Sequence, residues 1–419
     1  MFTALHRAAG VEPGPLTNGI LDSAIATGAK ESVDLDWKAQ LPPAKDLRGT
    51  DFPKDIAAMA NSGGGTIVYG VEELQKAATK RVDSGQLDEG HERALRKAAI
   101  SAITPPIFGL DIVKLEREGQ NAVAVVIPAS TDGPHLIYRN DLFGAPLRVD
   151  ADTIWMTERE LEAAYRARFN ERRYSEEALD ALYSETNAGR DVEHRAWLVA
   201  VARPRLPRTG VRLSRDEARS VFQKAKYLAP HYAGTENIHP LVAVESANPR
   251  PGLRRWVAPY KARNNGRPEW DEAWFSFHND GAVTLASAVG GHRGDTGEPL
   301  AGHEVQSRGI EAAIGDFMAV VRAAAEISQS NEYEFRVGIQ FVGTGEPLRI
   351  ITTDGSGWLY RDVSTPLHHF SPVELTFDAR AEHRAYYQTV YELAEDLINQ
   401  GGVSNLQLMD TPEHWSSPE

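Results

Sequence analysis

Three carboxylates and a lysine stand close together in the segment ESVDLDWK, residues 31–38. Asp36 and Lys38 are two residues apart, so on a strand their side chains point to the same face, which Asp34 shares. Glu31 is five residues before Asp36 and would face the other way on one regular strand. Glu31 can approach Asp36 only from a turn or helix end before the strand, and the preceding ATGAK segment allows one.

The spacing of these residues leaves two interpretations open. Carboxylates are ligands that Mg²⁺ and Mn²⁺ prefer, and such a metal lowers the pKa of bound water and neutralises charge on a phosphate. Alternatively, the segment is a strand edge whose acids are solvated and whose lysine forms an ordinary ion pair. A buried carboxylate without a partner is disfavoured because its desolvation is expensive.

Composition limits the class of protein. The chain has 419 residues, no cysteine, a net charge of −14 and 42% hydrophobic residues, as in soluble globular proteins of two or three domains. The lack of cysteine excludes disulfides, thiolate zinc sites and cysteine nucleophiles. No apolar run approaches the roughly 20 residues of a membrane span. The N-terminal stretch MFTALHRAAGVEPGPL lacks the apolar core of a secretory signal. We therefore expect a cytoplasmic protein that does not contact membranes. The negative charge still allows a local basic groove.

The patterns predict an α+β chain. Residues 1–170 are expected to form a mixed α/β domain, in which SVDLDWK, GTIVYGV and AVAVVIPAS are strands. DFPKDIAAMANS, ERALRKAAISAI and TERELEAAYRARF are predicted helices, the last with a capping box from Thr157 and Glu160. LIYRNDLFGAPLRVD predicts a hairpin. NSGGGTIVYGV predicts a helix ended by glycine before a core strand, since it lacks the Walker lysine and reverses the order of elements in a P-loop.

The rest of the chain is predicted to be a linker and a second domain. Residues 171–190 are polar and lack a core pattern, so we expect a linker, partly helical. Residues 191–419 alternate strands such as WFSFHNDGAVTLASAV with helices such as GIEAAIGDFMAVVRAAAEI. They predict an α+β accessory domain with a largely antiparallel sheet. Its role cannot be inferred from its residues.

Candidate contacts to nucleic acid lie late in the first domain. Tyr138 is suited to stacking on a base, and Arg139 and Arg148 are suited to phosphate because a guanidinium can bond two oxygens. Arg166 and Arg168 begin a basic run, which is also explained as cations near the end of a helix. His135 is expected to be a structural turn residue, with a catalytic base as the alternative.

Four pieces in order, ESVDLDWK, IAAMANSGGGTIVYGVEE, VIPASTDGPHLIY and LRVDADTIWMTERELEAAYRARF, resemble the Schlafen-type AlbA-like domain. The resemblance covers about residues 28–170. It implies that Glu31, Asp36 and Glu73 hold Mg²⁺ or Mn²⁺ and that Lys38 joins them in catalysis, with Glu72 as the rival third ligand. The family usually has Glu at the position of Asp36 and Asp at the position of Glu73. The cysteine-containing zinc site of the mammalian members should be absent.

The resemblance implies two functions. Some bacterial members and the mammalian Schlafen cores cut tRNA or rRNA, which predicts a bacterial-type, metal-dependent endoribonuclease acting on structured RNA such as tRNA, in stress or antiphage defence. The alternative is a non-catalytic regulator of the same fold that binds DNA or RNA. Mammalian cores build their RNA groove from two related lobes, and this chain shows one, so we expect a homodimer to supply the second wall.

Overall fold

The computed structural model describes residues 3–139, 142–208, 212–235, 238–261, 271–291, 300–328, 330–343, 345–353, 358–361 and 364–416. The side chains of Arg139, Leu142 and Arg172 lie outside this description. Helices and mostly antiparallel strands confirm the predicted α+β class. The chain divides into two compact units, Met1–Tyr174 (unit 1) and Ser175–Glu419 (unit 2). Within the described residues, no helix is long and apolar enough to cross a membrane.

Unit 1 combines short helices with small sheets. Its helices are α1 (Ala4–Ala9), α2 (Asn18–Ala26), α3 (Phe52–Asn61), α4 (Glu89–Ser101) and α5 (Glu158–Asn187), which continues into unit 2. Its strands are β1 (Leu35–Lys38), β2 (Gly65–Tyr69), β3 (Val71–Leu74), β4 (Ala77–Arg81), β5 (Ile103–Thr104), β6 (Asp111–Leu115), β7 (Ala122–Ile127), β8 (Leu136–Arg139), β9 (Leu142–Gly144), β10 (Pro146–Val149) and β11 (Asp152–Trp155).

A four-stranded sheet in the order β1-β2-β7-β6 forms the centre of unit 1. Strand β1 runs parallel to β2, and the other neighbours are antiparallel. Alternate residues of β2 and β7 belong to two separate hydrophobic cores, one on each face of the sheet. Ile67 and Val125 pack with helices α3 and α4 on one face, and Val68 and Ala124 pack with α1 and α2 on the other. Strand β7 is therefore an interior strand, as its continuous apolar sequence predicts.

Small sheets surround this centre. Strands β3 and β4 form one hairpin, β8 and β9 form another that extends to β5, and β10 pairs with β11. Helix α5 begins as predicted, because the Thr157 N–H donates to Glu160 Oε2 at 2.7 Å and the Glu160 N–H donates to Thr157 Oγ1.

Unit 2 contains a seven-stranded sheet whose neighbours are all antiparallel, in the order β13-β14-β15-β16-β12-β18-β21. Its strands are β12 (Trp197–Pro204), β13 (Arg250–Gly252), β14 (Arg255–Ala258), β15 (Ala273–His278), β16 (Val283–Ala288), β17 (Glu304–Gln306), β18 (Glu332–Gln340), β19 (Arg349–Thr353), β20 (Leu359–Tyr360) and β21 (Val373–Asp378). Its helices are α6 (Arg215–Ala233), α7 (Pro240–Ala243), α8 (Ser307–Ser328) and α9 (His383–Asn399). The largest apolar core lies between one face of this sheet and helices α6, α8 and α9.

The segment 171–190, predicted to be a linker, is helical as far as Asn187. The physical reason is a narrow apolar stripe within its charged sequence. Leu179 and Tyr183 are one helical turn apart and pack together on Val199 and Val201 of strand β12. A stripe of this width is hard to recognise among charges, although it is sufficient to attach a helix to a sheet face.

Candidate functional site

Strand β1 places Asp36 and Lys38 on the sheet face that packs against helix α3. In the parallel register, Asp36 lies beside Ile67 and Lys38 beside Tyr69, and both of these β2 residues belong to the core under that helix. Trp37 points to the opposite core. Asp36 is only 2% exposed. A carboxylate buried this deeply must be compensated by partners within the protein.

Both oxygens of Asp36 are ion-paired. Arg148 Nη1 lies 2.9 Å from Oδ1, and Lys38 Nζ lies 2.6 Å from Oδ2. The Arg148 guanidinium also donates to the carbonyl oxygen of Ser32 at 3.0 Å. The Arg148 side chain is as inaccessible as that of Asp36, whereas the Lys38 side chain is 39% exposed. Arg148, predicted to contact phosphate, is the internal counterion of Asp36.

A further carboxylate, Asp55 of helix α3, faces this pair. Lys38 Nζ lies 4.0 Å from Asp55 Oδ2. Burial raises the pKa of Asp55 to about 6, and the negative charge of Asp36 adds to this effect while the charge of Lys38 opposes it. Lys38 therefore lies between two buried carboxylates, Asp36 and Asp55, and burial raises the pKa of the second to about 6.

Glu31 lies at the edge of the same cluster. Its backbone N–H donates to the Lys76 carbonyl at 2.7 Å, which attaches it to the turn of the β3–β4 hairpin that carries Glu73. Its Oε1 accepts a hydrogen bond from the Trp37 N–H at 3.0 Å. Burial raises the pKa of Glu31, and the charges of Asp36 and Glu73 raise it further against the lowering effects of the Trp37 N–H and Lys38. Of the four predicted catalytic residues, Asp36, Glu73 and Lys38 thus lie close enough to Glu31 for their charges to affect its pKa.

The carboxylates do not form a metal centre in this arrangement. Among the described residues, no group of three or more His, Asp or Glu side chains is placed to hold a metal ion. Asp36, the predicted central ligand, has its two oxygens occupied by Lys38 and Arg148. Glu73 is exposed on strand β3, and its neighbour Glu72 pairs with Lys80 at 3.0 Å. As they stand, these residues do not fit a divalent cation.

The Asn61–Ser62 pair at the C-terminal end of helix α3 has a structural role. The Asn61 side chain donates to the carbonyls of His135 at 3.0 Å and Pro146 at 2.8 Å, and it accepts the His135 N–H at 2.7 Å. The Ser62 hydroxyl accepts the Arg148 N–H at 2.9 Å. These bonds hold strands β8 and β10 at the end of α3, and thereby position the Arg148 guanidinium over Asp36.

The glycines that follow end the helix, as predicted. Gly64 has φ +89°, and a Cβ there would lie 2.7 Å from the backbone nitrogen of Ala129. His135 is also structural. It is buried, its Nδ1 is bonded to the Pro105 carbonyl and its Nε2 to the Ser130 hydroxyl, and burial lowers its pKa.

The residues predicted to contact nucleic acid have separate environments. Tyr138 is exposed on strand β8, whereas the Arg139 side chain lies outside the described residues. Arg166 is exposed and pairs with Glu162, one turn earlier on helix α5, at 2.6 Å. Arg168 is half-buried and close enough to His135 for its charge to lower the pKa of that imidazole. Of this set, the structure therefore presents Tyr138 and Arg166 to solvent.

Sequence reasoning missed two features of unit 1. One is Asp55, whose signal was an acid within the apolar stripe of Phe52, Ile56 and Met59 on helix α3. The other is a cleft of about 120 Å³ whose polar lining includes Arg48, Lys54 and Tyr138. No local sequence pattern marks this cleft, because its lining comes from three separate parts of the chain.

Comparisons with known proteins identify the domain. The family model described as Schlafen, AlbA_2 matches residues 31–157. A search of curated proteins found no match. The N-terminal domain of a Nitrosomonas europaea protein described as related to the ATP-dependent DNA helicase RecG is 21% identical over 30% of this chain and 84% of that chain, with a TM-score of 0.24. The DIP2311 protein of Corynebacterium diphtheriae is 17% identical over 51% of this chain and 33% of that chain, also with a TM-score of 0.24.

At these identities and TM-scores, the two solved structures do not establish a shared fold, so the identification depends on the family model. Its limits enclose the ion-paired cluster of Asp36, Lys38 and Arg148, the Asn61 hydrogen bonds and the exposed Tyr138. The match connects this part of the chain with a nucleic-acid-related family. Residues 31–157 of this chain are a Schlafen AlbA_2 domain.

Proposed function

We propose that unit 1 binds nucleic acid, RNA or DNA, through the surface around the β8–β9 hairpin. The observation that carries this proposal is a pair of exposed aromatic rings on that hairpin. Tyr138 and Phe143 are cross-strand partners, 57% and 62% exposed, with ring centroids 5.8 Å apart. Adjacent exposed aromatic rings lower the solubility of a protein and commonly mark a ligand-binding surface. A nucleic-acid base can stack on either ring.

Binding without cleavage is the better supported form of this function. Asp36 is buried and neutralised by Arg148 and Lys38, so its carboxylate is a structural anion in the present arrangement. Removing either cation would leave a buried charge uncompensated. The domain match supports a nucleic-acid-related role and does not require catalysis.

Fluorescence anisotropy with labelled RNA and DNA oligonucleotides tests binding. The wild type should bind in low salt, and Tyr138→Ala with Phe143→Ala should weaken binding by about 1–3 kcal/mol for each stacked base. Tyr227→Ala is the matched control, because this tyrosine is 60% exposed on helix α6 of unit 2. Equal affinities for wild type and the double variant would exclude the aromatic surface, and no binding to any oligonucleotide would exclude the function.

Cleavage of tRNA or rRNA with Mg²⁺ or Mn²⁺ is the second candidate function. The observation that favours it is the proximity of Asp36 and Glu73 to Glu31, whose pKa is raised by burial first and further by these two negative charges. Incubation of the protein with total tRNA, with and without each metal, tests it. Glu31→Gln and Glu73→Gln are the variants of choice, because Asp36 is required for its ion pairs. Metal-dependent cleavage that both variants abolish would establish the nuclease function in place of simple binding.

Two further properties belong to the same proposal. A homodimer would provide a second nucleic-acid-binding wall, and light scattering at micromolar concentration tests for it. A monomer that binds oligonucleotides with full affinity would be the contrary result. A role in stress or antiphage defence is supported by the resemblance to bacterial Schlafen proteins, and plaque counts on cells with and without the protein test it.

A further inference from the structure

A cationic cleft lies beside the exposed aromatic hairpin of unit 1. It is lined by residues from the turn before helix α3, the first turn of α3, the end of α4 and strands β5 and β8: Arg48, Thr50, Pro53, Lys54, Ser101, Ala102, Thr104, Ile137 and Tyr138. Its volume of about 120 Å³ is well above the roughly 10–15 Å³ that a single water needs. The cleft can therefore hold a group larger than water, and its lining decides which group.

The charged groups of the lining favour an anion. The Arg48 guanidinium donates to the Ser101 carbonyl at 2.8 Å, which holds it at the cleft and uses one of its five donors. Among the described residues, no carboxylate forms an ion pair with Arg48. Lys54 Nζ donates to Asp51 Oδ1 at 2.9 Å and lies 4.0 Å from Asp55 Oδ1. The cleft thus contains one arginine whose charge is not balanced by an acid and one lysine that is partly neutralised.

The aromatic rim indicates what carries the anion. Tyr138 lines the cleft and is also the ring that contacts Phe143 on the neighbouring strand. A phosphate bound by Arg48 would therefore have an exposed aromatic ring next to it. Phosphate beside a stacking surface is the arrangement with which proteins bind single-stranded nucleic acid, whose bases are free to leave a helix and stack.

We propose that the Arg48–Lys54–Tyr138 cleft is a phosphate subsite for single-stranded nucleic acid, with the adjoining base stacked on the Tyr138 ring. The inference rests on the proposed binding function and adds which strand form is bound and where the backbone lies. Double-stranded nucleic acid keeps its bases stacked on each other, so it can reach the cleft only with its phosphates and gains nothing from Tyr138.

Two charge variants test the subsite in opposite directions. Arg48→Gln removes the charge but keeps a donor for the Ser101 carbonyl, so the fold is retained. It should weaken binding to decamers of U and of dT severalfold, and should make the slope of log affinity against log salt shallower by about 0.7, the value for one lost contact to a single strand. Asp51→Asn should strengthen binding, because it removes the closer of the two carboxylates beside Lys54 and leaves only Asp55, at 4.0 Å. Asp51 occupies the N-cap position of α3 but its side chain makes no capping hydrogen bond.

Tyr138→Ala and Tyr138→Phe test the stacking. The alanine variant should lose about fivefold or more in affinity for the decamers, and the phenylalanine variant should bind as the wild type does. Neither should alter binding to a duplex of the same length. Arg93→Gln is the matched charge control, since Arg93 is an exposed arginine of α4 that pairs with Glu89 and does not line the cleft.

The outcomes separate the subsite from the general function. If the wild type binds the decamers but Arg48→Gln, Asp51→Asn and Tyr138→Ala change neither affinity nor salt slope, the subsite is wrong and nucleic-acid binding stands. Equal affinity for duplex and single strand would overturn the single-strand assignment. If the wild type binds neither decamer nor duplex, the proposed function fails and the subsite with it.

Discussion

Arg148 and Asp36 form a buried ion pair between strands β10 and β1, with Nη1 2.9 Å from Oδ1 and side chains that are 3% and 4% exposed. The two residues are far apart in the chain and join the hairpin β10–β11 to the edge of the central sheet. Because a buried charge is costly unless paired, each residue requires the other. This relationship makes both residues structural before any ligand is considered.

Arg148→Ala should therefore lower the free energy of unfolding of unit 1 by about 3–5 kcal/mol, because Asp36 then stays buried with Lys38 as its only counterion. Urea unfolding monitored by hydrogen exchange in peptides from residues 31–69 measures this. Arg166→Ala is the control, because its exposed pair with Glu162 should contribute less than about 1 kcal/mol. The double variant Arg148→Ala with Asp36→Ala should be less destabilised than the sum of the single variants. A single Arg148→Ala variant with wild-type stability would contradict the structural role.

The stability of unit 1 should depend on pH through Asp55. Its pKa in the folded protein is about 6, above the value of 3.8 for a free aspartate. Between these values the folded state binds more protons than the unfolded state, so the free energy of unfolding falls as pH rises from about 4 to about 6. The full cost at neutral pH is about 3 kcal/mol. Asp55→Asn should remove this cost and flatten the profile.

Denaturation of the wild type and Asp55→Asn at several pH values measures the effect. Asp111→Asn is the control, because Asp111 is exposed on strand β6 and its charge does not act on Asp55. Equal slopes for wild type and Asp55→Asn between pH 4 and 6 would mean that Asp55 is already ionised in the folded protein, paired with Lys38 more closely than its 4.0 Å distance indicates.

Asn61→Ala should loosen strands β8 and β10 together. The variant loses two donated bonds, to the carbonyls of His135 and Pro146, and one accepted bond from the His135 N–H. Backbone groups left without partners cost about 1–3 kcal/mol each, although water can reach some of them. Hydrogen exchange should rise in peptides that contain residues 135 and 146, and affinity for oligonucleotides should fall because Tyr138 lies on β8. Asn61→Asp should rescue only the accepted bond.

Local patterns predicted the elements of this protein better than they predicted its site. The alternation in SVDLDWK predicted a strand, of which Leu35–Lys38 forms β1, and Thr157 with Glu160 predicted the start of α5. Both signals depend on neighbours within a few residues. The pairing of Asp36 with Arg148 does not depend on residues that are neighbours in the chain. Arg148 reaches Asp36 through the packing of β10 on α3, and the same arginine looks like a phosphate ligand when only its sequence context is known. The Arg48 cleft is likewise a product of tertiary packing.

Divalent metals provide the last prediction, because they distinguish a binding domain from a nuclease. A ligand that binds only the folded state stabilises it by RT ln(1 + [L]/Kd). Since Lys38 and Arg148 occupy both oxygens of Asp36, Mg²⁺ or Mn²⁺ at millimolar concentration should leave the melting temperature of wild-type unit 1 unchanged. Lys38→Met frees Oδ2 and restores negative charge near Glu31, so this variant should be stabilised by the same metals. Differential scanning calorimetry with metal and with EDTA measures both. Stabilisation of the wild type that Glu31→Gln abolishes would show that a metal displaces Lys38, and the nuclease function would then replace binding as the better explanation of this site.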